Sequence, residues 1–171
     1  MVARYILPLS LQLKWIKAAE KYSCEWIAGL KLKGEIIDWF GFTLGSEHEV
    51  KPIRLKDAPR AIGTVHFHPY EHTETPIPSI EDGINWVYHS YWEIADELNP
   101  IFFIVFKDEY ASWAMFPKPP IVRKMWQEEY IKVKDKEKAS INLCLKLLEK
   151  DLIKTGVFLL GEKNLEFKVF S

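Results

Sequence analysis

Two histidines, two residues apart at the end of an apolar run, are the feature that most constrains this chain. The run reads GTVHFHP from Gly63 to Pro69. In a β-strand, residues i and i+2 point to the same face, so both imidazoles share one face while Phe67 takes the other. Proline cannot donate to a strand ladder, and Pro69 therefore predicts the end of the strand. The sequence predicts His66 and His68 side by side at a strand end.

A carboxylate follows after a polar loop, at a predicted helix start. Ser79 has the position of an N-cap residue, and Asp82 stands three residues later. Two histidines and one carboxylate are a common ligand set of catalytic zinc, with a fourth position left for water. The residues predict a Zn²⁺ site made of His66, His68 and Asp82. The plain alternatives are that the His66 and His68 imidazoles form hydrogen bonds with backbone groups, that Ser79 only caps the helix, and that Asp82 only complements the helix dipole.

The composition is that of a globular domain. The chain has 171 residues, 48% of them hydrophobic, which is enough for one core. The formal net charge is −1, so a nucleic-acid partner is not expected. No apolar run approaches the ~20 residues of a membrane span, and no signal-peptide pattern is present, so no membrane association is expected. Two distant cysteines, Cys24 and Cys144, give no disulfide framework and predict a cytoplasmic location.

The hydrophobic periodicity predicts a mixed order of helices and strands. Helices are predicted over 10–23 and 79–98, and strands over 24–33, 35–44, 60–67, 101–106 and 110–116. A hairpin is predicted across Lys33-Gly34. The apolar run over 101–106 is typical of a central strand buried on both faces. Strands clustered around two helices argue for an α/β or α+β sandwich.

A proline-rich stretch, Pro117-Lys118-Pro119-Pro120, predicts a boundary in the chain. We expect a catalytic core over residues 1–117 and a C-terminal segment over residues 118–171 that packs on this core. In that segment, a stretch over 124–155 rich in lysine and glutamate predicts one or two helices. Gly156 matches a position just past a helix end. The stretches 157–160 and 165–170 predict a terminal hairpin.

Taken together, these motifs resemble the JAMM (MPN-type, JAB-domain) zinc metalloprotease family. The family signature is a glutamate, then H-x-H-P, then S-x-x-D at a helix start; here it reads Glu25, His66-Phe67-His68-Pro69 and Ser79-Ile80-Glu81-Asp82. The resemblance covers roughly Leu9 to Phe116. The loop between His68 and Asp82 is longer than is usual in the family, and Phe67 stands where serine or threonine is common. Gly29 lies one residue further from Glu25 than usual, which leaves Glu35 as an alternative catalytic carboxylate.

The resemblance implies a fold and a reaction. The fold is a cytidine-deaminase-like α-β-α sandwich with a mixed central sheet, to which this chain adds a helical and hairpin extension. Glu25 would take a proton from water and give it to the leaving amine, while the Ser79 hydroxyl stabilises the oxyanion. The substrate is an amide bond, in this family often the isopeptide bond between the C-terminus of a ubiquitin-like modifier and a lysine.

Several alternatives stay open. The substrate can instead be a small peptide or an adduct of a sulfur-carrier protein, and a non-catalytic scaffold of the same fold is a further reading. The segment after Lys118 can supply specificity, a homodimer contact or only packing. In the loop after the histidines, His72 is expected to be solvated, with a role as fourth metal ligand as the alternative.

Overall fold

A single curled sheet of eight strands with mixed direction is the centre of the described chain. The computed structural model describes residues 3–45, 54–72 and 91–170. Within them the strands are β1 (Arg4–Leu7), β2 (Trp26–Lys33), β3 (Ile36–Leu44), β4 (Ala61–His68), β5 (Ile101–Phe106), β6 (Tyr110–Met115), β7 (Lys154–Leu159) and β8 (Leu165–Lys168). The helices are α1 (Leu9–Lys21), α2 (Pro119–Val133) and α3 (Lys136–Glu149), with short 3-10 turns at Leu55–Asp57 and Tyr91–Glu93. The mixed α/β class is therefore confirmed, while the JAMM-type sandwich stays a prediction.

The strand order is β7-β6-β5-β4-β2-β3-β1-β8. The β4–β5 and β1–β3 pairs are parallel and the others antiparallel. Every residue of β4 and β5 is buried, so the prediction of a central strand over 101–106 is confirmed. The β2–β3 hairpin is confirmed too, with Lys33 opposite Ile36.

The sheet curls around α1 until its two edge strands meet. The rings of Phe158 in β7 and Phe167 in β8 lie 6.2 Å apart between centroids. Both also contact Phe103 in the central strand β5. Trp15 of α1 is fully buried and lies 5.3 Å from the same Phe103 ring. The aromatic side chains inside the curl thus join the helix, the middle of the sheet and both of its edges.

The C-terminal hairpin prediction is wrong. The two stretches form strands, but β7 pairs with β6 and β8 pairs with β1, at opposite ends of the strand order. Gly156 is likewise not a helix end, because α3 ends at Glu149 and Gly156 lies within β7. A Cβ there would come within 2.5 Å of Nε1 of Trp113, so the glycine makes room for an indole ring on the neighbouring strand.

Two further differences concern a strand that the sequence does not predict and a helix that is shorter than expected. The first is strand β1. The helix expected over 79–98 does not extend through its last part, where Tyr91–Glu93 is a 3-10 turn followed by further turns; residues 79–90 lie outside the described residues.

Strands β7 and β8 join the sheet that is formed by the strands of residues 1–117. The predicted boundary between residues 117 and 118 stays a prediction. In the described ranges, no helix is long and apolar enough to cross a membrane.

The strand that carries both histidines depends on Gly63. This residue pairs with Ile101 of the parallel strand β5, and a Cβ at Gly63 would lie 1.7 Å from the Ile101 carbonyl oxygen. Because that oxygen belongs to backbone in the middle of the sheet, we expect Gly63→Ala to lower the free energy of unfolding by more than about 3 kcal/mol, the upper end of ordinary overpacking. Denaturant unfolding measures it.

The matched control is Gly34→Ala in the β2–β3 turn. Gly34 has a φ of +63°, and a Cβ there meets nothing within 4 Å, so only the left-handed backbone cost of roughly 1–2 kcal/mol applies. Equal losses in the two variants would contradict the proposed close contact between β4 and β5.

Candidate metal centre

The two histidines of β4 face each other as the sequence predicts. Nε2 of His66 lies 2.8 Å from Nε2 of His68, and the ring centroids are 4.6 Å apart. Both side chains are buried, with 6% and 8% of their surface exposed. Phe67 turns to the opposite face and stacks on Trp26 at 5.6 Å. The alternation of the strand therefore brings two imidazole nitrogens to one point.

These two nitrogens fit the donor set of zinc. Nitrogens bound to one tetrahedral zinc at about 2.0–2.1 Å lie roughly 3.4 Å apart, so a small ring rotation from the observed 2.8 Å separation gives a chelating pair. Neutral imidazole is a good zinc ligand. The pair is held at the end of a fully buried strand, so little ordering is needed for binding.

Tyr70 fixes the orientation of the second histidine. Its hydroxyl group lies 2.6 Å from Nδ1 of His68. An imidazole that binds a metal through Nε2 carries its proton on Nδ1, so that N–H donates to the Tyr70 hydroxyl oxygen. The backbone holds Tyr70 in place: its N–H donates to the His68 carbonyl at 2.8 Å, and its carbonyl accepts from the Lys107 N–H at 3.0 Å. The sequence analysis does not identify Tyr70. Its only signal in the sequence is that it directly follows the H-x-H-P motif.

Removing this hydroxyl group gives a testable effect on metal affinity. We expect Tyr70→Phe to weaken zinc binding about 10–100-fold, the usual cost of losing a partner that orients a ligand. The ring still packs on Phe106, whose centroid lies 6.0 Å away, so folding should be retained. Competition against a chelator of known zinc affinity measures the change. Unchanged affinity would show that Tyr70 does not orient His68.

Glu25 directly precedes β2, at the end of that strand which pairs with the histidine end of β4. In the antiparallel β2–β4 pair, Trp26 lies opposite Phe67 and Ile27 opposite His66. If the pairing continued by one residue, Glu25 would lie opposite His68. Directly opposed residues share a face, with Cβ atoms roughly 4.5–5.5 Å apart. Glu25 is half-buried, and its carbonyl accepts from the Gly45 N–H at 2.8 Å.

The alternative carboxylate, Glu35, lies at the other end of β2. It forms an ion pair with Arg4 at 3.1 Å, and 42% of its side chain is exposed. Strand β2 has eight residues, which at about 3.3 Å each separates its two ends by roughly 25 Å. Glu25, and not Glu35, therefore lies at the end of β2 that pairs with the histidine end of β4.

The other two predicted site residues, Ser79 and Asp82, lie outside the described residues. Within the ranges 3–45, 54–72 and 91–170, no group of three or more histidine, cysteine, aspartate or glutamate side chains is arranged to hold a metal. The third ligand and the zinc site as a whole thus stay predictions.

His72 is packed against the protein and not solvated as expected. Its Nδ1 lies 2.5 Å from Oδ2 of Asp108, and its ring centroid is 4.3 Å from that of Tyr110. Only 28% of its side chain is exposed. Asp108 occupies Nδ1, so a role for His72 as a metal ligand would have to use Nε2.

The chemistry available here follows from the side chains: two imidazole nitrogens converge on one point, and the carboxylate of Glu25 directly precedes the adjacent strand. Comparisons with family models, with curated proteins and with solved structures found no match for this chain.

Proposed function

We propose that this protein is a zinc-dependent metalloprotease of the JAMM type, which hydrolyses an amide bond at the C-terminus of a ubiquitin-like modifier. The observation that carries the proposal is the 2.8 Å approach of the His66 and His68 Nε2 atoms on a buried strand. Glu25 directly precedes β2, which pairs with that strand. The order of Glu25, H-x-H-P and S-x-x-D in the sequence supports it independently.

Each residue has a defined task in this proposal. His66 and His68 hold the zinc together with Asp82, and Tyr70 keeps His68 in the ligating tautomer. When bound, zinc supplies a Lewis acid that polarises a carbonyl group and acidifies water. Glu25 takes the proton of the attacking water and returns it to the nitrogen of the leaving amine. The Ser79 hydroxyl donates a hydrogen bond to the oxygen of the attacked carbonyl.

The choice of a protein substrate rests on the resemblance of the motif, in whose family the bond is often the isopeptide bond of a ubiquitin-like modifier. Tyr70, with 51% of its surface exposed, is a large exposed side chain beside the histidines. Leu44 lies opposite Trp26, and the Phe42 ring contacts Trp26, so these two exposed apolar side chains lie on the face of the sheet opposite to the histidines. We place the reaction in the cytoplasm, where Cys24 and Cys144 remain reduced.

Cleavage assays test the proposal directly. The zinc-loaded protein is incubated with isopeptide-linked ubiquitin-like conjugates, with sulfur-carrier adducts and with unstructured peptides, and products are identified by mass spectrometry. We expect cleavage of the isopeptide conjugates, loss of cleavage with 1,10-phenanthroline, and recovery on adding zinc. Zinc binding without cleavage of any amide would instead favour the non-catalytic scaffold.

A further inference from the structure

A basic cavity lies at the opposite end of the sheet from the histidines. It has a volume of about 770 Å³, within the range of roughly 300–1,000 Å³ typical of small-molecule sites. Arg60, which directly precedes β4, is part of its wall, whereas the histidines end that strand. At about 3.3 Å per residue, the eight residues of β4 separate the two places by roughly 25 Å.

Four cationic side chains from separate parts of the chain line this cavity. They are Arg60 before β4, Lys118 before α2, Lys154 at the start of β7 and Lys168 at the end of β8. The curl of the sheet brings the last two together, and Nζ of Lys154 donates to the Lys168 carbonyl at 3.2 Å. The cavity therefore occupies the seam where the two edges of the sheet meet.

Among the described residues, little negative charge lies close to these cations. Only one carboxylate, Glu97, is among the described residues that line the cavity. None of the four has a carboxylate oxygen within 4.0 Å among the residues that the structure describes. The whole chain has a formal net charge of −1, so the positive charge here is local. Like charges held around a concave surface attract anions.

The rest of the wall is apolar or rigidly bonded. Val169 and Phe170 line the cavity, and the Phe170 ring lies 4.5 Å from Nζ of Lys154. Tyr5 is buried, and its hydroxyl group donates to the Asn99 carbonyl and accepts from the Asn99 N–H, both at 2.9 Å. A ligand that fits this wall has an anionic part and an apolar part.

We propose that this cavity binds a phosphate-bearing small molecule of nucleotide size. The phosphate oxygens accept hydrogen bonds from Arg60, Lys118 and Lys154, and an aromatic or apolar body packs on Phe170. Such a ligand would also tie the two edges of the curled sheet together. This site is independent of the proposed metal centre, and its binding needs no metal.

Titration calorimetry at low ionic strength, with EDTA present throughout, tests the inference. The probes are ATP, pyrophosphate, adenosine and citrate. We expect saturable binding of ATP and pyrophosphate, weakened by added salt, and none of adenosine alone. We expect ATP to bind more tightly than pyrophosphate, because the nucleoside adds contacts with the apolar wall. Equal binding would contradict the proposed packing on Phe170.

Charge-removing variants localise the binding. We expect K118Q/K154Q to lose at least about tenfold in affinity for pyrophosphate, equivalent to ~1.4 kcal/mol. The matched control, K136Q/K138Q, removes the same charge from the exposed start of α3 and should bind like the unmodified protein. Circular dichroism checks that both variants fold. The inference is overturned if neither phosphate compound binds at millimolar concentration, if citrate binds as tightly as pyrophosphate, or if K118Q/K154Q binds normally.

Discussion

Replacing His66 with alanine is expected to lower zinc affinity by more than about 100-fold. Losing a residue that only orients a ligand costs up to about 100-fold, and losing a ligand itself should cost more. The reason is geometric. The Nε2 atoms of His66 and His68 are 2.8 Å apart, so losing one imidazole removes half of the preformed pair. Metal analysis of the purified protein should give one zinc per chain for the unmodified protein and almost none for His66→Ala.

Two comparisons make this measurement specific. Asp82→Ala should lose zinc in the same way if Asp82 is the third ligand. His72→Ala should keep it, because its Nδ1 is held by Asp108 and the imidazole is not part of the predicted ligand set. Retention of stoichiometric zinc by His66→Ala, or an unmodified protein that never binds zinc, would rule out the metal centre. Loss of zinc in His72→Ala would identify His72 as a ligand.

Local patterns were sufficient for the middle of the sheet and for the histidine pair. Strand β4 could be predicted because alternation alone sets His66 and His68 on one face, and the 2.8 Å approach of their Nε2 atoms agrees with that rule. The apolar run of β5 is typical of a strand covered on both sides, and its complete burial confirms that prediction. Both of these steps depend on local sequence alone, whereas the position of Glu25 depends on the pairing of β2 with β4, which the sequence does not predict.

Long-range pairing was what the sequence could not supply. Two strands that follow each other closely, β7 and β8, look like a hairpin, yet the curled sheet assigns them to opposite edges. Strand β1 has only four residues, too few for a periodic signal, and its place depends on pairing with β8. The sequence does not distinguish the two roles of a glycine at position 156, which can end a helix or make room for a side chain on a neighbouring strand. In the structure Gly156 makes room for the Trp113 ring. The true breaks are Lys134 and Asp151, both with left-handed backbone.

Tyr70 illustrates the same limit within the site. A tyrosine two residues after a histidine has no characteristic spacing, because its contact with Nδ1 of His68 depends on the turn at Pro69 and on the hydrogen bond to Lys107. The two candidate glutamates show a related limit. Glu25 and Glu35 were both plausible in sequence, and only the direction of β2 separates them, since one end meets the histidines and the other ends in the turn at Gly34.

Glu25→Gln is expected to lower the rate of amide hydrolysis about 10²–10⁴-fold, the usual contribution of a positioned general base, while zinc content stays at one per chain. Glutamine keeps the size and half-buried position of the side chain but cannot accept the proton of the attacking water. The matched control is Glu35→Gln, which removes the same charge and only breaks an exposed ion pair with Arg4, worth less than about 1 kcal/mol. Steady-state kinetics on an isopeptide conjugate, with metal analysis of each variant, separate the two glutamates. The assignment of proton transfer to Glu25 assumes that Glu25 continues the β2–β4 pairing and lies opposite His68. If Glu35→Gln abolished cleavage and Glu25→Gln did not, this assignment would be wrong.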